Sequence, residues 1–247
     1  MSAKAPRKKI RWDLWMIVTV GVSIFYMLFL LYPLISMLKS VIGEDGGFTW
    51  QYFAKVFHKK YYQRAIWGSL KISATVTLIT VLLATPLAYI MSTVKIRFAS
   101  ALQILILVSS MSAPFIGAYA WIMLCGRNGT ITNFLLNTFG IKLGDIYGFK
   151  GCVIVMSLQL YSLVFMFVSG AFKNMDNSLI EASESLGCSG IRKIFKVVLP
   201  LILPTLLSGA LMVFMRTFAD YGTPMLIGEN YNTLPVVVYK EFLSEIG

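Results

Sequence analysis

Five apolar runs of about twenty residues or more dominate this chain: Leu14–Leu38, Leu70–Met91, Ala99–Leu124, Cys152–Phe172 and Val197–Phe218. A helix rises about 1.5 Å per residue, so each run reaches across a hydrocarbon core about 30 Å thick. Lipid offers backbone groups no hydrogen bonds, and a helix satisfies its own. Charged residues make up 13% of the chain, against about 25% in a soluble domain. Mean hydropathy is +0.73. The expected fold is therefore an all-α integral membrane protein, a polytopic helix bundle of five spans. The first run is too long for a cleavable signal peptide and lacks a small-residue cleavage site, so it is expected to stay as a span.

The net charge of +11 invites nucleic acid as a partner, but the basic residues sit in loops beside the spans. Anionic membrane lipid is the nearer partner there, and no nucleic acid is expected. The tail 1–13 carries Lys4, Arg7, Lys8, Lys9 and Arg11 against Asp13 alone, which places it in the cytoplasm. Five spans then put 92–98 and 173–196 inside, and 39–69, 125–151 and the C-terminus outside. The first outer loop, with Lys55, Lys59, Lys60 and Arg64, works against a clean asymmetry, so the orientation leans on the tail. The aromatics of that loop read as interface anchors.

Pro86 and Pro114 each free a carbonyl inside a span, which predicts protein neighbours or a cavity at those points. Ser110 and Ser112, just before Pro114, suit either close helix packing or a polar path, with packing favoured. Residues 126–140 read as a turn followed by a short amphipathic helix, Ile131–Phe139, capped by Gly140. Cys125, Cys152, Cys188 and His58 lack metal-ligand spacing, so no metal and no cofactor is expected in this chain. No GxxxxGK[ST] phosphate loop occurs, so ATP is not bound by that device.

The polar stretch 178–200 stands apart. Ser178-Leu-Ile-Glu181 has the form of a capping box, and Gly187 suits the left-handed position that ends a helix. A second helix is expected from Ser189, with Ile191, Ile194, Phe195 and Val198 on one face and Arg192, Lys193 and Lys196 opposite. Leu199-Pro200 then returns the chain to the membrane. Two capped helices at a set angle are either an ordered interfacial hairpin or a docking device.

The residues carry a resemblance. Glu181-Ala182-Ser183, three residues, Gly187, nine residues, Val197, one residue and Leu199-Pro200 resembles the EAA loop of binding-protein-dependent ABC importer permeases. The family pattern is E-A-A, three residues, G, nine residues, I, one residue, L-P. Ser183 replaces the second alanine and Val197 the isoleucine. ATPLAYIMS at 84–92 and SAPFIGAYAWIMLCGRNG at 112–129 look like the second and third spans of these permeases. FADYGTPMLIG at 218–228 is similar to the branch importing ferric iron, polyamines, thiamine and phosphonates, with a lean toward ferric iron.

The resemblance implies the type I ABC importer permease fold in a bacterial cytoplasmic (inner) membrane. It implies a permease that is not itself an enzyme and passes a small solute to the cytoplasm. Its partners would be two copies of an ATP-binding ABC subunit, a second permease half or subunit, and an extracytoplasmic solute-binding protein. Glu181 would contact the ATPase, Ala182 and Ser183 would allow close approach, Gly187 would make the turn, and Leu199 and Pro200 would pass motion into the fifth span. Residues 14–247 would form the permease domain and 173–196 its cytoplasmic coupling loop. Such halves usually close with a sixth span, so the chain is expected to be a fragment, either the first half of a fused permease or a truncated single-unit subunit.

Arg216 and Asp220 lie four apart near the outer end of the fifth span and are expected to share a face. Charges at membrane depth are costly, so they either pair structurally or line the path. The competing class is a secondary transporter or channel, which wants ionisable residues deep in several spans, and only Arg216 is clearly inside one. An integral-membrane enzyme wants a His, Asp or Glu cluster at the boundary, and the sequence offers none.

Overall fold

The computed structural model describes residues 14–41, 57–94, 97–109, 111, 113–140, 144–188 and 190–246. The basic tail 1–13, the first outer loop up to residue 56, and Ser110, Ser112 and Ser189 lie outside the described residues. The chain divides into two units, Met1–Lys59 and Lys60–Gly247.

The first unit holds one long apolar rod. Helix α1 (Leu14–Tyr26) passes through a π-helical turn, Met27–Leu31, into α2 (Tyr32–Val41). The turn ends two residues before Pro33. That proline has no N–H for the carbonyl four residues back, and its ring crowds the same carbonyl, so the ladder widens rather than breaks.

In the second unit the core is built from three long helices: α3 (Lys60–Thr93), and further along the chain Phe149–Lys173 and Leu199–Ala219. Between α3 and the second of these come α4 (Ala99–Ser109), α5 (Pro114–Cys125) and α6 (Thr130–Phe139). Phe149–Lys173 is α7. The short α8 (Asn177–Ser185) and α9 (Ile191–Lys193), with a second π turn at Ile194–Val198, lead to Leu199–Ala219, which is α10. Helices α11 (Gly222–Ile227) and α12 (Leu234–Ile246) complete the unit.

Small residues explain why α3 packs closely. Its buried positions, Ala65, Ser69, Ile72, Ser73, Val76, Thr80, Ala84, Ala88 and Met91, recur every three or four residues. Lipid tails are as apolar as leucine, so packing and shape hold such helices together. Helix α7 lies against this stripe and buries Val155, Met156, Val164, Phe165 and Val168. Helix α10 meets both through Ile202, Leu206, Gly209 and Val213. A Cβ on Gly209 would stand 3.2 Å from the Phe167 Cβ, so glycine sets that approach.

The two ends of the bundle differ. At one end Tyr89 of α3 meets Phe172 of α7, with ring centroids 5.8 Å apart, and α8 and α9 lie beyond. At the other end the Tyr231 hydroxyl donates to the Gly68 carbonyl at 2.6 Å, and the Leu234 N–H to Ser69 Oγ at 2.7 Å. There the Gly148 N–H also donates to the Ile227 carbonyl at 2.8 Å.

Two sequence expectations change. The third run, Ala99–Leu124, is two helices: Ala99–Ser109 and the segment from Pro114 are bent by 103°. Proline disfavours helical geometry in the residue before it, Ala113 is extended, and Pro114 takes the first turn of α5. Four helices, or five with the bent pair taken as one span, are long and apolar enough to cross a membrane. Pro86 does not face the interior either. It is exposed on α3, while Ala84 and Ala88 on either side of it take the packed face.

Candidate functional site

The segment joining α7 to α10 is built by local chemistry. Asp176 stands in extended conformation before α8, and its Oδ1 accepts the Ser178 N–H at 2.9 Å. The helix thus starts earlier than the expected capping box at Ser178–Glu181: an aspartate two residues upstream takes the cap, and Ser178 falls inside the first turn. That bond holds the Asp176 carboxyl below the usual carboxylate range.

The end of α8 is a full Schellman motif. Gly187 has φ +81°, its N–H donates to the Glu184 carbonyl at 2.9 Å, and the Cys188 N–H donates to the Ser183 carbonyl at 2.9 Å. Gly190, with φ +60°, reverses the chain again before Ile191. Lys193 reaches back to the Glu184 carboxylate at 2.5 Å and ties the two sides of the turn.

The second half of the segment departs from expectation. No separate helix is capped off before the membrane: residues Ile191–Ala219 form one helical rod of 29 residues. Leu199 and Pro200 lie within it. The π turn at Ile194–Val198 ends two residues before Pro200, as the first one does before Pro33. The same missing N–H gives the same widened ladder.

Glu181 and Ala182 are exposed on α8, while Ser183 is 8% exposed and its hydroxyl donates to the Ile180 carbonyl at 2.7 Å. Gly187 is exposed, Leu199 half-buried and Pro200 exposed. Leu186, Ile191 and Phe195 are 88%, 73% and 64% exposed beside the basic Arg192 and Lys196. This end of the bundle therefore presents a short, stiff turn with uncovered apolar side chains.

At the opposite end Arg216 and Asp220 do not pair. Helix α10 stops at Ala219, and Asp220 turns into extended geometry. Its Oδ1 accepts the Gly222 N–H and its Oδ2 the Thr223 hydroxyl, both at 2.8 Å, so the carboxylate begins α11. Both residues nevertheless line one cavity of about 340 Å³, together with Pro114, Gln159 and Tyr221. The Gln159 side-chain nitrogen is buried without a hydrogen-bond partner. A search for charges overlooks this neutral amide, although its place in an apolar run was the available signal.

A second cluster was not anticipated. Arg127 bonds Asp145 at 2.8 Å and Glu229 at 2.7 Å, and its guanidinium lies 4.7 Å from the Tyr147 ring centre. Arg127 holds the Asp145 carboxyl below the usual range. Among the described residues no group of three His, Cys, Asp or Glu side chains is placed to hold a metal.

Helices α3 and α7 run in the same direction and α10 runs back, so the exposed turn joins two long apolar helices at one end of the bundle. Residues 84–242 match the family described as binding-protein-dependent transport system inner membrane component. The chain belongs to that family, and it is a multi-pass membrane protein. It is 26% identical over 212 residues to the putative ferric transport system permease protein FbpB 1 of Haemophilus influenzae, covering 85% of this chain and 34% of that protein. The chain thus spans about a third of the length of the ferric permeases it matches. The spermidine/putrescine transport system permease protein PotB of Haemophilus influenzae is 27% identical, covering 92% of this chain and 82% of that one. A chain of the bacterial alginate ABC transporter in complex with alginate pentasaccharide-bound periplasmic protein shares the fold, with TM-score 0.76 at 17% identity, covering 94% of this chain and 84% of that one.

Proposed function

We propose that this chain is the membrane-spanning half of an ATP-driven importer and that the segment 176–198 docks on a separate ATP-hydrolysing subunit. Two copies of that subunit would serve a pair of permease halves, and a solute-binding protein would deliver cargo at the opposite end. The observation that carries this reading is mechanical. The exposed turn is fixed by the Asp176 cap, the Gly187 Schellman motif and the Lys193–Glu184 pair, and it continues into α10 as one rod. A push on the turn therefore moves a core helix instead of being absorbed by a slack loop. Leu186, Ile191 and Phe195 supply apolar surface for a protein partner, and Glu181 supplies a charge at its edge.

In this orientation the N-terminus and the docking turn lie in the cytoplasm, in keeping with the basic tail. The cargo favoured is ferric iron, from the Asp220–Pro224 run and the ferric relatives at 26% identity. The deciding experiment is affinity purification of the tagged chain with identification of its companions by mass spectrometry. An ABC-type ATPase is expected with the wild type and lost with Gly187→Leu or Glu181→Lys, both variants still inserting in the membrane. Retention of the ATPase and normal uptake in both variants would refute the docking role.

A further inference from the structure

The first turns of α3 carry a basic face that no carboxylate answers. Arg64 and Lys71 stand seven residues apart, which brings them back to within about 20° around the helix, and Trp67 lies between them. All three are exposed, Trp67 by 72%. The ion pairs among the described residues use Arg127 and Lys193, and neither Arg64 nor Lys71 takes part. With Leu70, Ala74 and Tyr231 these side chains line a groove of about 760 Å³, and its lining holds no acidic residue.

The groove lies at the edge of the apolar layer. The apolar run of α3 begins at Leu70, so Arg64 stands about 9 Å beyond that edge and Lys71 on it. Helical side chains lean toward the helix N-terminus, which here is the membrane surface, so Lys71 can lift its ammonium group along its own stem. The Lys71 Nζ lies 5.1 Å from the Phe149 ring centre, which fixes its place. The floor of the groove is already built. The Tyr231 hydroxyl is spent on the Gly68 carbonyl, and a Cβ on Gly68 would stand 3.0 Å from the Asn232 carbonyl.

We infer that this groove seats one anionic phospholipid of the adjoining leaflet, with its phosphate between Arg64 and Lys71 and its chains along Leu70 and Ala74. Charge complementarity names the occupant, since two cations without an acid favour an anion. The apolar wall below them favours an anion with a hydrocarbon tail over a soluble phosphate. Trp67 suits the headgroup level, where amphipathic rings gather. Seated there, the lipid braces the start of α3 against the segment that bonds Gly68 and Ser69. The inference goes beyond the permease reading: it needs only a membrane-spanning chain and holds whichever face is cytoplasmic.

The test uses the complex extracted from its own membrane in a maltoside detergent, through a tag on this chain. Native mass spectrometry counts the lipid retained after titration with phosphatidylglycerol or with phosphatidylcholine. The wild type is expected to hold one phosphatidylglycerol per copy of this chain more tightly than any phosphatidylcholine. Arg64→Gln and Lys71→Gln should each weaken that binding about fivefold, the worth of one basic residue near an anionic surface, and the double variant more than either. Arg64→Lys and Lys71→Arg keep the charge and should retain the lipid. Lys39→Gln, at the end of another apolar helix, should leave it in place. The local readout is tryptophan quenching in phosphatidylcholine nanodiscs doped with brominated lipid, taken as the difference between wild type and Trp67→Phe. Brominated phosphatidylglycerol is expected to quench Trp67 more than brominated phosphatidylcholine does. Equal retention of the two lipids, or a phosphatidylglycerol preference unchanged in the double variant, overturns the site. Trp67 untouched by either brominated lipid means that protein covers the groove in the complex, and this overturns it too.

Discussion

Asp176 and Gly187 show how single residues fix the exposed turn. The Asp176 carboxyl is held below its ordinary range by the Ser178 N–H it accepts. A carboxyl depressed in the fold contributes stability above its unfolded pKa and loses it as pH falls through the folded value. Hydrogen exchange at the Ser178 amide is therefore expected to be slow at neutral pH and to accelerate, relative to the rest of α8, once the pH drops below the carboxylate range. Asp176→Ala should show the fast behaviour at every pH. At Gly187 the backbone has φ +81°, where a side chain costs about 1–2 kcal/mol. Gly187→Ala is expected to raise protease cleavage between 186 and 190 without disturbing the core. The glycine and the small residues before it were legible, because αL geometry has few occupants. The cap was not: Ser178 and Asp176 are both good caps, and only the point where α7 ends decides between them.

At the scale of elements, close packing and proline set the design. Gly209 has a Phe167 Cβ 3.2 Å from where its own Cβ would stand. Gly209→Ala should be tolerated after a small shift, whereas Gly209→Leu should cost about 1–3 kcal/mol, as overpacking does, read as a lower unfolding temperature in detergent. Pro200→Ala restores an N–H that can bond the Lys196 carbonyl, so the π turn at 194–198 should relax to α geometry. The expected result is a rotated docking face, with ATPase-coupled uptake reduced while membrane insertion is kept. Five apolar runs were visible because lipid demands length and composition together. The break of the third run was visible only as a proline, since the same residue interrupts one helix at Pro114 and is carried inside another at Pro86.

Across the second unit, the end opposite the exposed turn is tied by contacts between residues far apart in sequence. Arg127 joins Asp145 and Glu229, and Tyr231 joins Gly68, so strands of chain separated by 102 and 163 positions are held together. Arg127→Ala is expected to loosen residues 144–148 and 228–230, seen as faster hydrogen exchange there and not in α3 or α7. None of these ties follows a periodicity, so sequence patterns cannot announce them. The rod from Ile191 to Ala219 has a further consequence. Each residue added to a helix advances it by about 1.5 Å and turns it by about 100°. The part between the exposed turn and Gly209 is therefore both a ruler and a clock hand. One inserted residue would swing Leu186 and Ile191 away from whatever they meet, and seven would nearly restore the angle but overshoot by about 10 Å. No insertion corrects direction and reach together, so the number of residues between Gly187 and Gly209 sets where the exposed turn stands as much as their identity does.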